Sequence, residues 1–243
     1  MTLEFLLPLA QIMMVNIVLS GDNAVVIAMA ARSLPPRQQR RAILWGCGGA
    51  VVLRVILTLV AAALFNVTLL KCVGGLLLVW IACKLLAGED QAPGAGPHLQ
   101  GNLLGAIKTI LVADVVMSLD NTLAIAAVAK NNYLLLVLGL LLSIPIVVFG
   151  STLIMKLMDR FPIIVYLGGG LIAYTAGSMI DDDRALQPYL PHILRATPWL
   201  LPAILTMAVM AYGRWHNTRR GRSARDELPA NQHAAQRVED QID

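Results

Sequence analysis

The sequence predicts an all-α polytopic membrane protein: seven transmembrane helices, built as two inverted three-helix repeats plus a seventh helix. Three observations predict it. Of the 243 residues, 57% are hydrophobic and only 14% are charged, where a soluble domain carries about 25% charged residues. Apolar runs of bilayer length recur along the chain between short polar stretches. A polar motif inside the first run, VLSGDNAVVIA at 18–28, returns as VMSLDNTLAIA at 116–126.

About 20 apolar residues cross a hydrocarbon core of roughly 30 Å. On that measure the spans fall at 5–31, 43–65, 69–87, 103–129, 133–157, 162–180 and 197–213. The first and fourth are longer than needed, so they must tilt or break. The first run has no basic region before it and continues past signal-peptide length, so it reads as a span and not as a cleaved leader. AGEDQAPGAGPHLQG, at 87–101, is a Gly/Pro-rich linker. DDDRALQPYLPH, at 181–192, is an external loop with solvated aspartates. The tail after 213 is polar, basic in its first half, and expected to be disordered beside anionic lipid. The organisation is therefore a first repeat at 1–87, a cytoplasmic linker at 88–102, an inverted second repeat at 103–181, an external loop and seventh helix at 182–213, and a tail at 214–243. Cys47, Cys72 and Cys83 lie in apolar runs without CxxC or Cys/His spacing, as small buried hydrophobes do.

The net charge of +4 does not call for a nucleic-acid partner once the charges are located. Arg32, Arg37, Arg40, Arg41, Lys84, Lys108, Lys156, Arg160 and six arginines from Arg214 onward fall on one side of the spans. Only Lys71, Lys130, Arg184 and Arg195 fall on the other, and Arg54 lies within a span. The positive-inside bias puts the N-terminus outside and the C-terminus in the cytoplasm, with the chain in the inner or plasma membrane.

The repeat appears when the chain is slid against itself by 98 residues. Val18/Val116, Ser20/Ser118, Asp22/Asp120, Asn23/Asn121, Ile27/Ile125, Ala28/Ala126 and Ala31/Ala129 are then identical pairs. VGGLLLVW at 73–80 echoes GGGLIAYT at 168–175 more loosely. Chance similarity between apolar helices matches Leu, Val and Ala; it does not readily match Ser-x-Asp-Asn. Three spans per copy give the copies opposite orientations, the inverted topology of many secondary transporters, whose substrate site lies near the midplane where the halves meet.

The doubled motif supplies the chemistry. An aspartate at membrane depth costs at least about 2.5–3.5 kcal/mol, so two in matching contexts need a reason. On a continuous helix Asp114, Met117, Ser118 and Asn121 share a face, and Asn16, Leu19, Ser20 and Asn23 form its counterpart. Asp22 and Asp120 lie about 100° around the axis from their asparagines, within reach of the same cavity. Gly21 favours a local break in the first half, which Leu119 does not in the second. The candidate ligands are Asp22, Asp114 and Asp120, the amides Asn16, Asn23 and Asn121, and the hydroxyls Ser20 and Ser118. This nearly all-oxygen set suits a hard divalent cation such as Mg²⁺, Ca²⁺ or Mn²⁺ better than Zn²⁺ or Cu⁺. Three carboxylates over-neutralise a dication, so one carries a proton when the site is empty, which allows coupling to protons. Met117 reads either as packing or as a soft neighbour that favours Mn²⁺. The alternative for Ser and Asn is helix glue, and Arg54 is a candidate intramembrane partner for one of the aspartates.

The doubled GDNAVVIA and SLDNTLAIA, the seven spans and the linker resemble the TerC family of integral membrane proteins, in particular its short bacterial members, within the LysE superfamily of exporters. The resemblance covers about residues 5–213. It implies export of Mn²⁺ from the cytoplasm, in a family named for tellurium-resistance operons, and carries an acidic membrane site onto Asp22, Asn23, Asp114, Asp120 and Asn121. Asn16, Ser20 and Ser118 join by internal symmetry. The nucleotide-binding or CBS-type module of longer relatives is not recognisable here.

The sequence therefore predicts a secondary exporter of a divalent cation, most of all Mn²⁺, that is not an enzyme. The cation is cargo, no resident cofactor is called for, and the remaining partner is the lipid bilayer. Rival readings are an exporter of amino acids or another cationic solute, and a non-transporting membrane partner of a metal- or tellurium-stress complex. An intramembrane protease lacks a recognisable aspartyl signature. Without GxxxxGK[ST], ATP-driven pumping is disfavoured.

Overall fold

The computed structural model describes the backbone of residues 9–14, 16, 20–64, 67, 69–88, 102–129, 133–189, 191 and 197–239. It describes their side chains except at 61–64, 120, 122–129, 133, 135–136 and 220–239. The linker at 89–101 lies outside the described residues. After a helical stretch at 9–14 come α1 (Gly21–Ala31), α2 (Pro36–Leu64), α3 (Leu70–Ala87), α4 (Leu103–Ala129), α5 (Tyr133–Arg160), α6 (Ile163–Asp181) and α7 (Leu200–Glu239), with a 3-10 turn at Gln187–Tyr189. No strand occurs among the described residues. Four helical segments there are long and apolar enough to cross a membrane: Pro36–Val60, Leu70–Ala87, Val137–Arg160 and Ile163–Asp181.

Helix α1 is the innermost element. Every residue from Val26 to Ala31 is buried, and the helix packs against α5, α4, α6 and α2. It does not begin until Gly21, because Ser20 has non-helical angles (φ −106°, ψ 6°). The motif in α4 runs past Leu119 without a break. Glycine tolerates a local departure from the helix that leucine resists, so the two copies of the motif differ as their residues dictate. The outer faces of the bundle carry large apolar side chains such as Trp45, Trp80, Leu104 and Phe149, which suit a lipid solvent.

Elsewhere α2 packs chiefly on α4, α3 on α6, and α6 on α7; α2 also meets α5, and α3 meets α4 and α7. Small residues set these approaches, because in lipid close van der Waals packing drives association. A Cβ on Gly75 would lie 2.7 Å from the Ala176 carbonyl oxygen, so the backbones of α3 and α6 touch there. Ile110 covers Gly46, and Ile12 covers Gly139, leaving no room for a Cβ at either glycine.

Two differences from the sequence expectation lie near the ends. The aspartates of the 181–192 loop are not all solvated. Asp183 is buried and accepts hydrogen bonds from the Cys72 N–H and the Ala185 N–H, each at 2.9 Å. It thereby satisfies a free amide in the first turn of α3, where the helix dipole favours a negative charge. Helix α7 passes position 213 unbroken to Glu239, through the tail expected to be disordered. Ala, Arg, Gln and Glu, all good helix formers, recur along it.

Candidate cation site

Ser20 and Ser118 of the doubled motif, with Asn16 and Asp114 four residues before them, meet around one side chain. Arg54, from the middle of α2, is 4% exposed and Asp114 of α4 is 6% exposed. The guanidinium Nη2 donates to Asp114 Oδ1 at 2.5 Å. Nε donates to Ser118 Oγ at 2.9 Å, and Nη1 to Ser20 Oγ at 3.2 Å and to Asn16 Oδ1. Asn16 and Ser20 precede α1, whereas Asp114 and Ser118 lie on one face of α4, one turn apart. Position by position they are pairs 98 residues apart: Asn16 with Asp114, Ser20 with Ser118. One planar fork thus bridges equivalent residues of the two motif copies, a geometry that arginine satisfies and a point-charge lysine does not.

The surrounding bonds are local or come from α5. Ser118 Oγ donates to Asp114 Oδ2 at 3.3 Å, and Ser20 Oγ donates to Asn16 Oδ1 at 3.4 Å. Asn16 Nδ2 donates to Ser143 Oγ, which donates in turn to the Leu140 carbonyl at 2.7 Å. Asn23 Nδ2 donates to Asp114 Oδ1 at 3.1 Å. Asn23 Oδ1 is buried and has no hydrogen-bond partner among the described residues. A buried acceptor left unmatched costs about 1–3 kcal/mol, so its position needs an explanation.

A cavity of about 30 Å³ adjoins this cluster, lined on its polar side by Asn16, Ser20, Asn23, Arg54, Asp114 and Ser143, and elsewhere by Cys47, Ala50, Val51, Ile27, Ile144 and Val147. That is space for a bare cation or a water or two. Of the predicted ligands, Asn16, Ser20, Asn23 and Asp114 line it, and Ser118 stands behind, bound to Arg54 and Asp114. Asp22 does not line it. Its Oδ1 accepts the Asn23 N–H at 2.9 Å, in the first turn of α1. Asn121 is half-buried, and the Asp120 side chain lies outside the described residues. Met117 is packed in the hydrophobic core. No group of three His, Cys, Asp or Glu side chains placed to hold a metal occurs among the described residues.

Two lining residues that carry a hydroxyl or thiol were not foreseen at the site from sequence. Ser143 sits two positions before Pro145, which is inside α5; a hydroxyl beside a helix-breaker in an apolar run is the signal that points to it. Cys47 has no such signal, since its apolar neighbours make it look like any core cysteine. Arg54 was legible as the basic residue within a span, and Asp114 is the aspartate it meets.

The integral membrane protein TerC family model matches residues 1–221. The chain belongs to the TerC family. Within it, this TerC protein is 39% identical over 207 residues to the uncharacterized membrane protein YjbE of Bacillus subtilis (strain 168), covering 84% of this chain and 92% of that one. It is 23% identical to the uncharacterized membrane protein YkoY of the same organism over 82% and 68% of the two chains. It is 26% identical to the UPF0053 inner membrane protein YgdQ of Escherichia coli (strain K12) over 73% and 81%. No solved structure matches this TerC chain. Family and apolar helices together make it an integral membrane protein.

Proposed function

We propose that this TerC protein is a secondary transporter that exports a divalent cation, Mn²⁺ foremost, from the cytoplasm in exchange for protons. The observation that carries the reading is the meeting of Asn16 with Asp114 and of Ser20 with Ser118 around one buried charged group beside a cavity. Helix glue alone does not call for equivalent residues of two motif copies to converge on one point. The packing supports two inverted three-helix repeats within seven spans. If α1, α2 and α3 are exchanged for α4, α5 and α6, each substantial pairing maps onto another, with α5 on α6 the exception. Ile12 and Ile110, also 98 apart, each cover a glycine of the opposite half's second helix.

The donors that line or adjoin the cavity are amide, hydroxyl and carboxylate oxygens, the preference of hard divalent ions, with one thiol, Cys47, that is softer. Asp22 and Asp120 supply the further negative charge a dication requires, Asp22 by turning from the Asn23 N–H at the break before α1. A second reading has one observation behind it: the group the oxygens hold is a guanidinium, so an organic cation is a rival cargo.

Reconstituted protein tests both. Mn²⁺, Ca²⁺, Mg²⁺ and arginine are loaded separately into proteoliposomes and their efflux is followed with and without a proton gradient. Proton-driven Mn²⁺ efflux, lost in Asp114→Asn, is the expected result. Efflux of arginine without Mn²⁺ favours the organic cargo, and efflux of none of them overturns transport.

A further inference from the structure

We infer that Arg54 is a built-in competitor for the transported cation: in the empty protein its guanidinium fills the cargo's place among the oxygens, and the cargo binds by displacing it. The inference rests on the proposed cation export and concerns how that site is held between cargoes.

The contacts assign the role. Asn16 Oδ1, Ser20 Oγ, Ser118 Oγ and Asp114 Oδ1 are four of the oxygens predicted from sequence to bind a cation, and all four accept from this guanidinium. The position bridges the two motif copies, yet only the first half supplies a positive charge there, Arg54. Between Tyr133 and Lys156, α5 contains no charged residue. A carboxylate buried in a bundle does not stand without a counter-ion. When no cargo is bound, Asp114 needs a positive partner, and Arg54 is that partner. When a dication arrives, two positive groups contend for one carboxylate and the tethered one must leave.

The place of entry is marked as well. The cavity borders the guanidinium, and Asn23 lines it with an acceptor, Oδ1, that no donor among the described residues uses. The other end of the same amide already touches Asp114 at 3.1 Å. A cation landing on Asn23 Oδ1 is therefore one side chain away from the carboxylate that Arg54 holds. Arg54 returning to Asp114 afterwards expels the cation, so the same residue that weakens binding speeds release.

The size of the effect follows from competition. Apparent affinity falls by the fraction of protein in which the site is open. A minor state is typically about 0.1–10% populated, so the arginine weakens binding by about tenfold or more. Removing it should tighten binding. A purely structural arginine gives the opposite sign, because its loss loosens the cluster and weakens any ligand.

The test titrates MnCl₂, and separately CaCl₂ and MgCl₂, into purified full-length protein in detergent by isothermal calorimetry, comparing wild type, Arg54→Gln and Arg54→Lys, with a size-exclusion profile for each. Arg54→Gln is expected to bind Mn²⁺ at least about tenfold more tightly than wild type. Its efflux from proteoliposomes is expected to slow. Arg54→Lys keeps the charge but cannot span four acceptors, so it is expected to tighten binding about threefold or more. It carries the test if the Gln variant does not remain folded. Folded variants that bind Mn²⁺ no more tightly than wild type overturn the role of Arg54 and leave the proposed transport standing. Wild type and variants that all ignore Mn²⁺, Ca²⁺ and Mg²⁺ overturn both.

Discussion

Asp114 and Arg54 form a buried ion pair, and breaking such a pair by removing one partner costs about 3–5 kcal/mol of stability. Loss of transport in an Asp114 variant therefore mixes charge with stability. Asp120 and Asp22 separate the two better. Asp22 accepts a hydrogen bond from the Asn23 amide of its own helix, which asparagine can also accept. Asp22→Asn and Asp120→Asn are each expected to abolish Mn²⁺ export in cells and to raise manganese sensitivity, with membrane levels of protein unchanged. Asp159, exposed in the last turn of α5, is the control and is expected to tolerate the same change. Wild-type export by both variants makes the doubled motif helix glue. At this scale the polar half of the cavity, with Ser118 behind it, was readable because Asn16, Ser20, Asn23, Asp114 and Ser118 are polar residues that stand out against oil. Cys47 and Ser143 were not, because what makes them special is a neighbour on another helix: Asn16 for Ser143, Asp114 across the cavity for Cys47.

The helices themselves were legible from apolar run length, and α2 to α6 start or stop within a few residues of the expected spans, except that α2 begins early, at Pro36. Pro fits the first turn of a helix, where no N–H bond is lost, and the Arg- and Gln-rich turns that follow favour helix without being apolar. The tether between α6 and α3 was not legible. Asp183 and Cys72 are 111 residues apart, and a run of three aspartates in a Gly-free loop reads as solvated charge. Asp183→Ala removes the acceptor of two backbone amides and a negative charge from a helix N-terminus. The loss of a cap of this kind costs about 0.5–2 kcal/mol. Thermal unfolding in detergent is expected to show that loss for Asp183→Ala and none for Asp182→Ala, since Asp182 is exposed. Equal effects from both would mean that the loop, and not the cap, holds α6 to α3.

Across the whole molecule, the ends of the helices sort into two faces. The end of α6 meets the start of α3 through Asp183 and Cys72. At the opposite face the Asn217 amide of α7 donates to the Leu86 carbonyl at the end of α3 and to the Tyr166 hydroxyl near the start of α6, at 3.3 and 3.0 Å. Hence α3 and α6 run antiparallel, and α7 brings its basic end to the face where α3 finishes. That face also receives Lys84 of α3 and Arg160 just before α6, with Arg214 and Arg219 of α7 alongside. Arg219 stacks over Trp215 with its guanidinium carbon 3.9 Å from the ring centre, and Tyr212 lies one turn before His216 against its ring. Aromatic and basic side chains at one depth are what the headgroup layer selects. A helix of 40 residues is about 60 Å long, roughly twice the hydrocarbon thickness, so the part beyond this girdle projects from the membrane on the basic face. Positive-inside bias predicts that this face is the cytoplasmic one. A C-terminal alkaline phosphatase fusion, active only outside the cytoplasm, is expected to stay silent, while a C-terminal green fluorescent protein fusion glows. The phosphatase fused after Asp182, at the opposite face, is expected to be active. An active C-terminal phosphatase would turn the bundle over, and the cation path proposed for Arg54 and Asp114 would then run inward.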